Sequence, residues 1–130
     1  MKKQFVICGL CGWCMELLWT GLQSFRRRDP KLSANTSVWM FPIYGLACLI
    51  GPVSDRLSNI PLVIRGCTYA GAIYFTEYVT GTLLKKNGMC PWDYSRAPHN
   101  VNGVIRADFA PLWFAAGLFY ESLLKKQKAA

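Results

Sequence analysis

The sequence predicts an all-α integral membrane protein, a bundle of four transmembrane helices. Of its 130 residues, 52% are hydrophobic, and they occur in long runs rather than at the spacing of an amphipathic helix. A helix needs about 20 mainly apolar residues to cross roughly 30 Å of hydrocarbon. Four runs approach that length, and the basic residues behind a formal charge of +8 lie mostly at their ends. We therefore expect one transmembrane domain over residues 1–130.

The four predicted spans cover residues 5–25, 38–53, 62–84 and 107–124. The second is the shortest and contains two prolines, at 42 and 52. Proline removes a backbone donor and leaves a carbonyl without its helical partner, so this helix is either kinked or broken. A broken membrane helix can bind a substrate or an ion.

The first span also fits a second interpretation, a cleaved signal peptide, because Lys2 and Lys3 precede its apolar run. Glu16 interrupts that run, and three arginines at positions 26–28 close it. This pattern favours a membrane span. We expect a multi-pass protein of the cell membrane.

The basic side chains occupy positions typical of anchors at the membrane edge. They are not gathered on one basic face, so we expect the lipid bilayer as a partner and no nucleic acid. Their nearly equal division between the two sides leaves the orientation open. Dual topology is compatible with the same pattern.

Six cysteines are present, and Cys8, Cys11 and Cys14 follow one stripe of the first helix. Buried cysteine packs as a small apolar side chain, whereas zinc and iron–sulfur sites usually draw such ligands from loops. We expect no metal site and no cofactor.

The two halves of the chain resemble each other. Each has a glutamate, then a Thr-Gly pair and a basic cluster: Glu16, Thr20 and Gly21 in the first half, Glu77, Thr80 and Gly81 in the second. The span that follows has a proline near its start in both halves, Pro42 and Pro111. This pattern predicts two tandem helical hairpins, related by an axis along the membrane normal.

Glu16 and Glu77 lie at matched depths in the predicted first and third spans. Each is eight to ten residues before a basic cluster, which places both carboxylates roughly 12–15 Å inside the same boundary. An acidic residue at the bilayer centre costs about 2.5–3.5 kcal/mol. The pair therefore predicts a central site for a cation or an exchangeable proton. Alternatively, each glutamate hydrogen-bonds to a hydroxyl of a neighbouring helix and holds the bundle together.

Residues 85–106 form the longest connection, and their aromatic and proline content predicts an ordered cap at the membrane surface. Asp93, His99 and Asp108 lie in or beside it. A lipid-active enzyme would need these three to converge, but no motif holds a nucleophile, a base and an orienting group together. We expect no enzymatic activity.

Five short segments carry a family resemblance: GWCME (12–16), FPIYG (41–45), EYVTG (77–81), PWDYS (91–95) and NGVI (102–105). The chain resembles the family named Putative ABC-transporter type IV, or CmpB-like, membrane proteins, and it is similar to the vertebrate transmembrane protein two-two-nine group. By position, the residues that match the family pattern are Glu16, Tyr44, Gly45, Glu77, Gly81, Trp92, Asp93, Tyr94, Ser95 and Gly103.

The resemblance implies a role in membrane transport. We expect a transporter or permease subunit with a central acidic site formed by Glu16 and Glu77, to which Tyr44, Thr20 and Thr80 contribute further substrate or ion ligands. Four helices enclose little volume, so a homo-oligomer is expected. No phosphate-binding Gly-rich loop occurs, so any ATPase would be a separate subunit.

The alternative is a non-transporting scaffold that docks a protein or lipid headgroups through the 85–106 loop. The loop motif comprises Trp92, Asp93, Tyr94, Ser95, Asn102 and Gly103.

Overall fold

The computed structural model of the protein describes residues 2–129, with side chains to Gln127. Met1 and Ala130, which the predicted domain includes, lie outside that range. The elements in order are α1 (Lys2–Arg26), α2 (Met40–Gly45), a 3-10 helix (Leu46–Leu49), α3 (Ile50–Arg56), α4 (Leu62–Lys86), β1 (Asn100–Val101), β2 (Ile105–Arg106), a 3-10 turn (Ala107–Phe109) and α5 (Ala110–Ala129). The chain divides into two compact units, Met1–Cys48 and Leu49–Ala130.

The structure is mostly helical, as predicted. α1 and α4 match the first and third predicted spans to within three residues. α5 begins three residues after the predicted start of the fourth span, because a 3-10 turn precedes it. Arg26 ends α1 and Lys85 and Lys86 end α4, where basic side chains interact favourably with the free carbonyls of a helix C-terminus.

The second predicted span, residues 38–53, is broken in the structure, which is one of the two outcomes that its prolines predict. It forms α2, the 3-10 helix and α3 in succession. Pro42 lies in the first turn of α2, where its missing N–H has no consequence. Pro52 cannot donate to the carbonyl four residues earlier, that of Cys48, and this carbonyl lies inside the 3-10 segment. The break therefore has a local cause in Pro52.

α1 is the one helix within residues 2–129 that is long and apolar enough by itself to cross a membrane. α4 is equally long but carries Arg65, Glu77 and several threonine, tyrosine and glycine residues. α5 carries Glu121 and three lysines in its second half. Helix length and composition therefore support one span and do not support four.

Glycines bring α1 and α2 into close antiparallel contact in the first unit. A Cβ placed on Gly12 would lie 2.1 Å from Cγ of Tyr44. A Cβ on Gly45 would lie 2.7 Å from the ring of Phe5. Neither position has room for a larger residue, so these small residues set the distance between the two helices.

The end of α1 is closed by a Schellman motif. The N–H of Asp29 donates to the carbonyl of Ser24 at 3.0 Å, and that of Arg28 donates to Phe25 at 3.0 Å. Arg28 occupies the left-handed position of the motif, with φ +59°. Glycine is the usual residue there, and a side chain in this conformation costs roughly 1–2 kcal/mol.

The segment after the Schellman motif turns back along α1. Three side chains of α1 hold it by hydrogen bonds: Ser24 Oγ donates to Ser33 O at 2.6 Å, Thr20 Oγ1 accepts from Asn35 N at 2.9 Å, and Trp13 Nε1 donates to Ser37 O at 2.9 Å. Residues 33–37 are thereby fixed along the helix. Residues 26–32 form a tip at the end of α1.

The second unit is built on an antiparallel pair, α4 and α5. A Cβ on Gly66 would lie 2.3 Å from the ring of Phe114, and one on Gly117 would lie 2.4 Å from Cβ of Tyr69. α3 packs on α5 near Gly51. The same use of glycine against an aromatic ring therefore joins the helices of this unit.

The two units carry this contact at matching sequence positions. Phe5 is eleven residues before Glu16, and Gly66 is eleven before Glu77; Gly45 is three after Pro42, and Phe114 is three after Pro111. The Phe5–Gly45 contact of one unit is thus replaced by Gly66–Phe114 in the other, with ring and glycine exchanged. This reciprocity supports the similarity of the two halves.

The connection between α4 and α5 contains a small antiparallel hairpin, which the all-helical prediction missed. β1 and β2 pair Asn100 with Arg106, and Asn102 and Gly103 form the turn with φ +54° and +72°. Val104 N–H donates to Val101 O at 3.1 Å. Two successive positive φ values define a type I′ turn, for which Asn-Gly is the preferred sequence.

Candidate polar sites

Glu16 lies in the middle of α1, and its carboxylate accepts a hydrogen bond from α2. Tyr44 O–H donates to Glu16 Oε2 at 2.5 Å. Glu16 forms no ion pair within the described residues 2–129, whose ion pairs join other side chains. Because tyrosine is neutral, no neighbouring cation balances the charge of an ionised Glu16. The structure thus brings together two of the predicted site residues, Glu16 and Tyr44.

Thr20 and Thr80, also predicted as site residues, direct their hydroxyls to the backbone. Thr20 Oγ1 lies 2.9 Å from the carbonyl of Glu16 and accepts from Asn35 N–H. Thr80 Oγ1 donates to the carbonyl of Thr76 at 2.7 Å. Both hydroxyls are thus satisfied locally, and the bond between Thr20 and Asn35 also holds the loop segment against α1.

Glu77 lies in α4, in the other unit, and one of its carboxylate oxygens is buried. Trp113 follows Pro111 by two residues, as Tyr44 follows Pro42. Its indole Nε1 is buried and has no hydrogen-bond partner among the described residues. By its spacing from the proline, Trp113 occupies the position in the second half that Tyr44 occupies in the first. The shared site of Glu16 and Glu77 stays a prediction.

The most extensive polar cluster of the second unit centres on Glu121, which sequence reasoning missed. Glu121 is 5% exposed. Arg65 binds both of its oxygens, through Nε to Oε2 at 3.2 Å and through Nη2 to Oε1 at 3.1 Å. The hydroxyl of Tyr69 also donates to Oε2, and Lys125 Nζ lies 3.4 Å from Oε1. Two cations therefore balance this carboxylate.

The Glu121 cluster was hard to predict because Arg65 is 56 residues away in the sequence. One signal was available: in an antiparallel pair, the first turn of α4 lies beside the second half of α5. Arg65 and Tyr69 are spaced by four, as are Glu121 and Lys125, so each pair shares one helix face. Pairing the two faces predicts the hydrogen bonds and the ion pair between α4 and α5, which the pattern of either helix alone does not predict.

The aromatic residues of the loop motif hold the loop on its own unit. Trp92 Nε1 donates to Val104 O at 2.9 Å, and its ring lies where a Cβ on Gly81 would be 2.8 Å away. The ring of Tyr94 packs edge-on against Phe109, with centroids 5.6 Å apart. Both rings therefore make contacts within their own unit.

The hairpin turn is tied to the end of α4. Lys85 Nζ donates to Asn102 O at 2.9 Å, and Asn102 Nδ2 donates to the Tyr78 hydroxyl at 3.0 Å. Tyr94 N–H donates to Gly103 O at 2.9 Å. The loop motif residues 92–95 and 102–103 therefore meet one another, and they do so as a structural unit.

Asp93 forms a local turn with Ser95. Ser95 N–H donates to Asp93 Oδ1 at 3.0 Å. This bond, assisted by the Ser95 side chain and by nearby Lys85, lowers the pKa of the Asp93 carboxyl below its usual value of 3.8. Asp93 is thus ionised at neutral pH, and its carboxylate stabilises the turn by accepting the Ser95 N–H.

Asp108, a member of the alternative enzymatic set, is engaged by Arg106. The guanidinium contacts both carboxylate oxygens, Nη2 to Oδ2 at 2.5 Å and Nε to Oδ1 at 3.0 Å. It also lies 4.4 Å from the ring centroid of Phe109. The ion pair raises the pKa of Arg106 and fixes the start of the last helical segment.

The sequence matches the family described as Putative ABC-transporter type IV over residues 4–129. The chain belongs to this family. The match covers both units, including the Glu16–Tyr44 pair and the Glu121 cluster. No solved structure matches its fold. Family membership and the apolar helix α1 indicate a protein associated with membranes and with transport.

Proposed function

We propose that this protein is a multi-pass membrane subunit of a transport system, with Glu16 as a carboxylate that exchanges a proton or a cation. The observation that carries the proposal is the Glu16–Tyr44 pair, in which a carboxylate inside an apolar helix has a neutral donor and no ion pair within residues 2–129. An intramembrane carboxylate of this kind favours a bound proton or cation.

The comparison with Glu121 supports this assignment. Arg65 and Lys125 both form ion pairs with Glu121, so its charge is balanced without a proton or an added cation. Glu16 lacks such a neighbour. Of these two carboxylates, Glu16 is therefore the better candidate for a site whose occupancy changes during transport.

We extend the proposal to Glu77 as a second carboxylate of the site. We also propose that the chain crosses the bilayer four times and that the segment from α2 to α3 makes the second crossing. Shielding of the polar residues in α4 and α5 by further copies of the chain would make these crossings acceptable in lipid. A separate ATPase would supply the energy. The role is non-enzymatic for this chain itself.

Infrared difference spectroscopy of the purified protein in liposomes tests the Glu16 site directly. The wild type should show a carboxyl C=O band that changes with pH and with added Na⁺ or K⁺. Glu16→Gln should remove that band, and Tyr44→Phe should shift it. Asp55→Asn, at an exposed acid of α3, is the matched control. An unchanged band in Glu16→Gln would contradict the assignment.

Flux in proteoliposomes tests the role of the site in transport, with an entrapped pH-sensitive dye and an imposed Na⁺ or K⁺ gradient. Glu16→Gln, Glu77→Gln and the double variant are compared. If the two glutamates form one site, the double variant should lose no more than either single one. Additive losses would indicate two independent sites, and full activity in all three would contradict transport through them.

The alternative, docking of a partner through residues 85–106, has less support. Trp92 and Tyr94, the side chains best suited to a docking surface, pack within their own unit. Lys85 and Arg106 are likewise engaged by Asn102 and Asp108. Crosslinking from Arg96, which is exposed, would detect a partner of this loop.

A further inference from the structure

The tip at the end of α1 presents the most concentrated positive charge of the first unit. Arg26, Arg27, Arg28 and Lys31 are all exposed, and none takes part in the ion pairs found within residues 2–129. Asp29 is the single acid of this tip, and its Oδ1 accepts the backbone N–H of Lys31 at 3.0 Å. The charge of the tip therefore remains largely unbalanced.

An apolar stripe on α1 leads directly to this charge. Leu18, Leu22 and Phe25 are spaced by four and three, so they lie on one face of the helix. Leu18 is 74% exposed and Phe25 66%. In a bilayer leaflet, this exposed apolar stripe would contact the hydrocarbon, and the basic cluster at its end would lie at the level of the lipid phosphates.

Arg28 provides a separate argument that the tip has a role beyond capping. It occupies the left-handed position of the Schellman motif, φ +59°, where glycine would fit without strain. The helix dipole explains at most part of the cluster, since it corresponds to about half a charge. Arg28 thus adds a third consecutive exposed arginine to the cluster, at a position where glycine would cost less backbone strain.

We propose that Arg26, Arg27 and Arg28 bind the headgroup phosphates of anionic phospholipids. Arginine matches phosphate oxygens with two parallel hydrogen bonds. Clusters of four or more basic residues beside a membrane helix attract anionic lipids. Ser24 and Thr20 hold the returning segment on α1, so the tip stays at the end of the helix. The inference rests on the proposed membrane insertion of α1, and free phosphate would not use the apolar stripe.

Other basic residues provide an internal contrast. Lys85 donates to Asn102 O, and Arg106 pairs with Asp108. Both are also near helix ends, but their donors are already engaged within the chain. Lipid selectivity should therefore map to the α1 tip and not to every basic residue near a helix end.

The test measures the selectivity of the full-length protein for spin-labelled phosphatidylglycerol over phosphatidylcholine in reconstituted bilayers. The wild type should prefer phosphatidylglycerol, and the preference should weaken in high salt. The variant Arg26→Gln, Arg27→Gln, Arg28→Gln should lose most of it, by up to about fivefold per arginine. The charge-matched control Lys2→Gln, Lys3→Gln, Lys126→Gln removes three exposed lysines that are divided between two helix ends, and because they form no single cluster it should retain most of the preference.

Arg28→Gly separates lipid binding from a structural role. Glycine relieves the backbone strain, so this variant should be at least as stable as the wild type, with lower selectivity. Higher stability with unchanged selectivity would overturn the proposal for Arg28. Unchanged selectivity in the triple variant would overturn the proposal altogether. It would also be overturned if millimolar inorganic phosphate, added at constant ionic strength, abolished the preference of the wild type, because the site would then bind free phosphate. Because no flux is measured, these failures are distinguishable from failure of the proposed transport role.

Discussion

At the scale of single residues, two buried or half-buried glutamates have opposite surroundings. Glu121 has Arg65, Tyr69 and Lys125 as donors, two of them cations. Glu16 has the neutral hydroxyl of Tyr44. The same side chain therefore serves as a fixed cross-link between helices in one unit and as the candidate for exchange in the other.

The Arg65–Glu121 pair should be a strong contributor to stability. Arg65→Met and Glu121→Leu should each lower the free energy of unfolding by about 3–5 kcal/mol, because each leaves a buried charge without its partner. The double variant should lose much less. Thermal unfolding in detergent, followed by circular dichroism, measures all three.

Lys125→Gln is the control for the Arg65–Glu121 prediction. The Lys125 side chain is 51% exposed, so its loss should change the free energy of unfolding by less than about 1 kcal/mol. If Arg65→Met were no more destabilising than Lys125→Gln, the buried pair would not hold α4 to α5.

Asp93 gives a pH prediction outside the helices. Its pKa is lowered by the Ser95 N–H, so its ionised form stabilises the loop above the unfolded-state pKa. That contribution is lost as the pH falls through the lower, folded-state pKa. The amide resonance of Ser95, followed by NMR in micelles, should titrate below pH 3.8, and Asp93→Asn should abolish the titration. A midpoint above 3.8 would contradict the turn.

At the scale of elements, the apolar runs predicted α1 and α4 well because each is bounded by charges that also end the helix, such as Arg26 and Lys86. Hydropathy alone predicted residues 38–53 as one span, whereas their two prolines predicted a kinked or broken helix, and the structure shows the helix broken before Pro52. The hairpin at Asn102-Gly103 was missed although this dipeptide is a turn signal.

Two glycines of α4 provide a matched test of helix packing. A Cβ at Gly66 would lie 2.3 Å from Phe114, whereas nothing lies within 4 Å of one at Gly71. Gly66→Ala should lower the free energy of unfolding by about 1–3 kcal/mol. Gly71→Ala should leave it unchanged or raise it by up to about 1 kcal/mol. Thermal unfolding compares them, and equal effects would contradict the close contact of α4 with α5.

At the scale of the whole molecule, the sequence predicted the family and the helical class, and the structure shows how each unit is held together. The pairs Phe5–Gly45 and Gly66–Phe114 extend the similarity of the halves from sequence pattern to packing. The Glu121 cluster could not be derived from hydropathy, since its partners come from different helices. The number of crossings likewise does not follow from helix length alone, because α1 alone passes that criterion within residues 2–129.

The most direct test of the proposed multi-pass architecture is a topology map with paired reporters, each active on one side of the membrane, fused after Lys31, Ser58, Arg96 and Gln127. Four crossings predict that Lys31 and Arg96 report one side and that Ser58 and Gln127 report the other. If the protein has dual topology, the reporters of both sides should be active at all four positions. All four positions on one side would mean that α1 alone crosses, and that result would contradict the account.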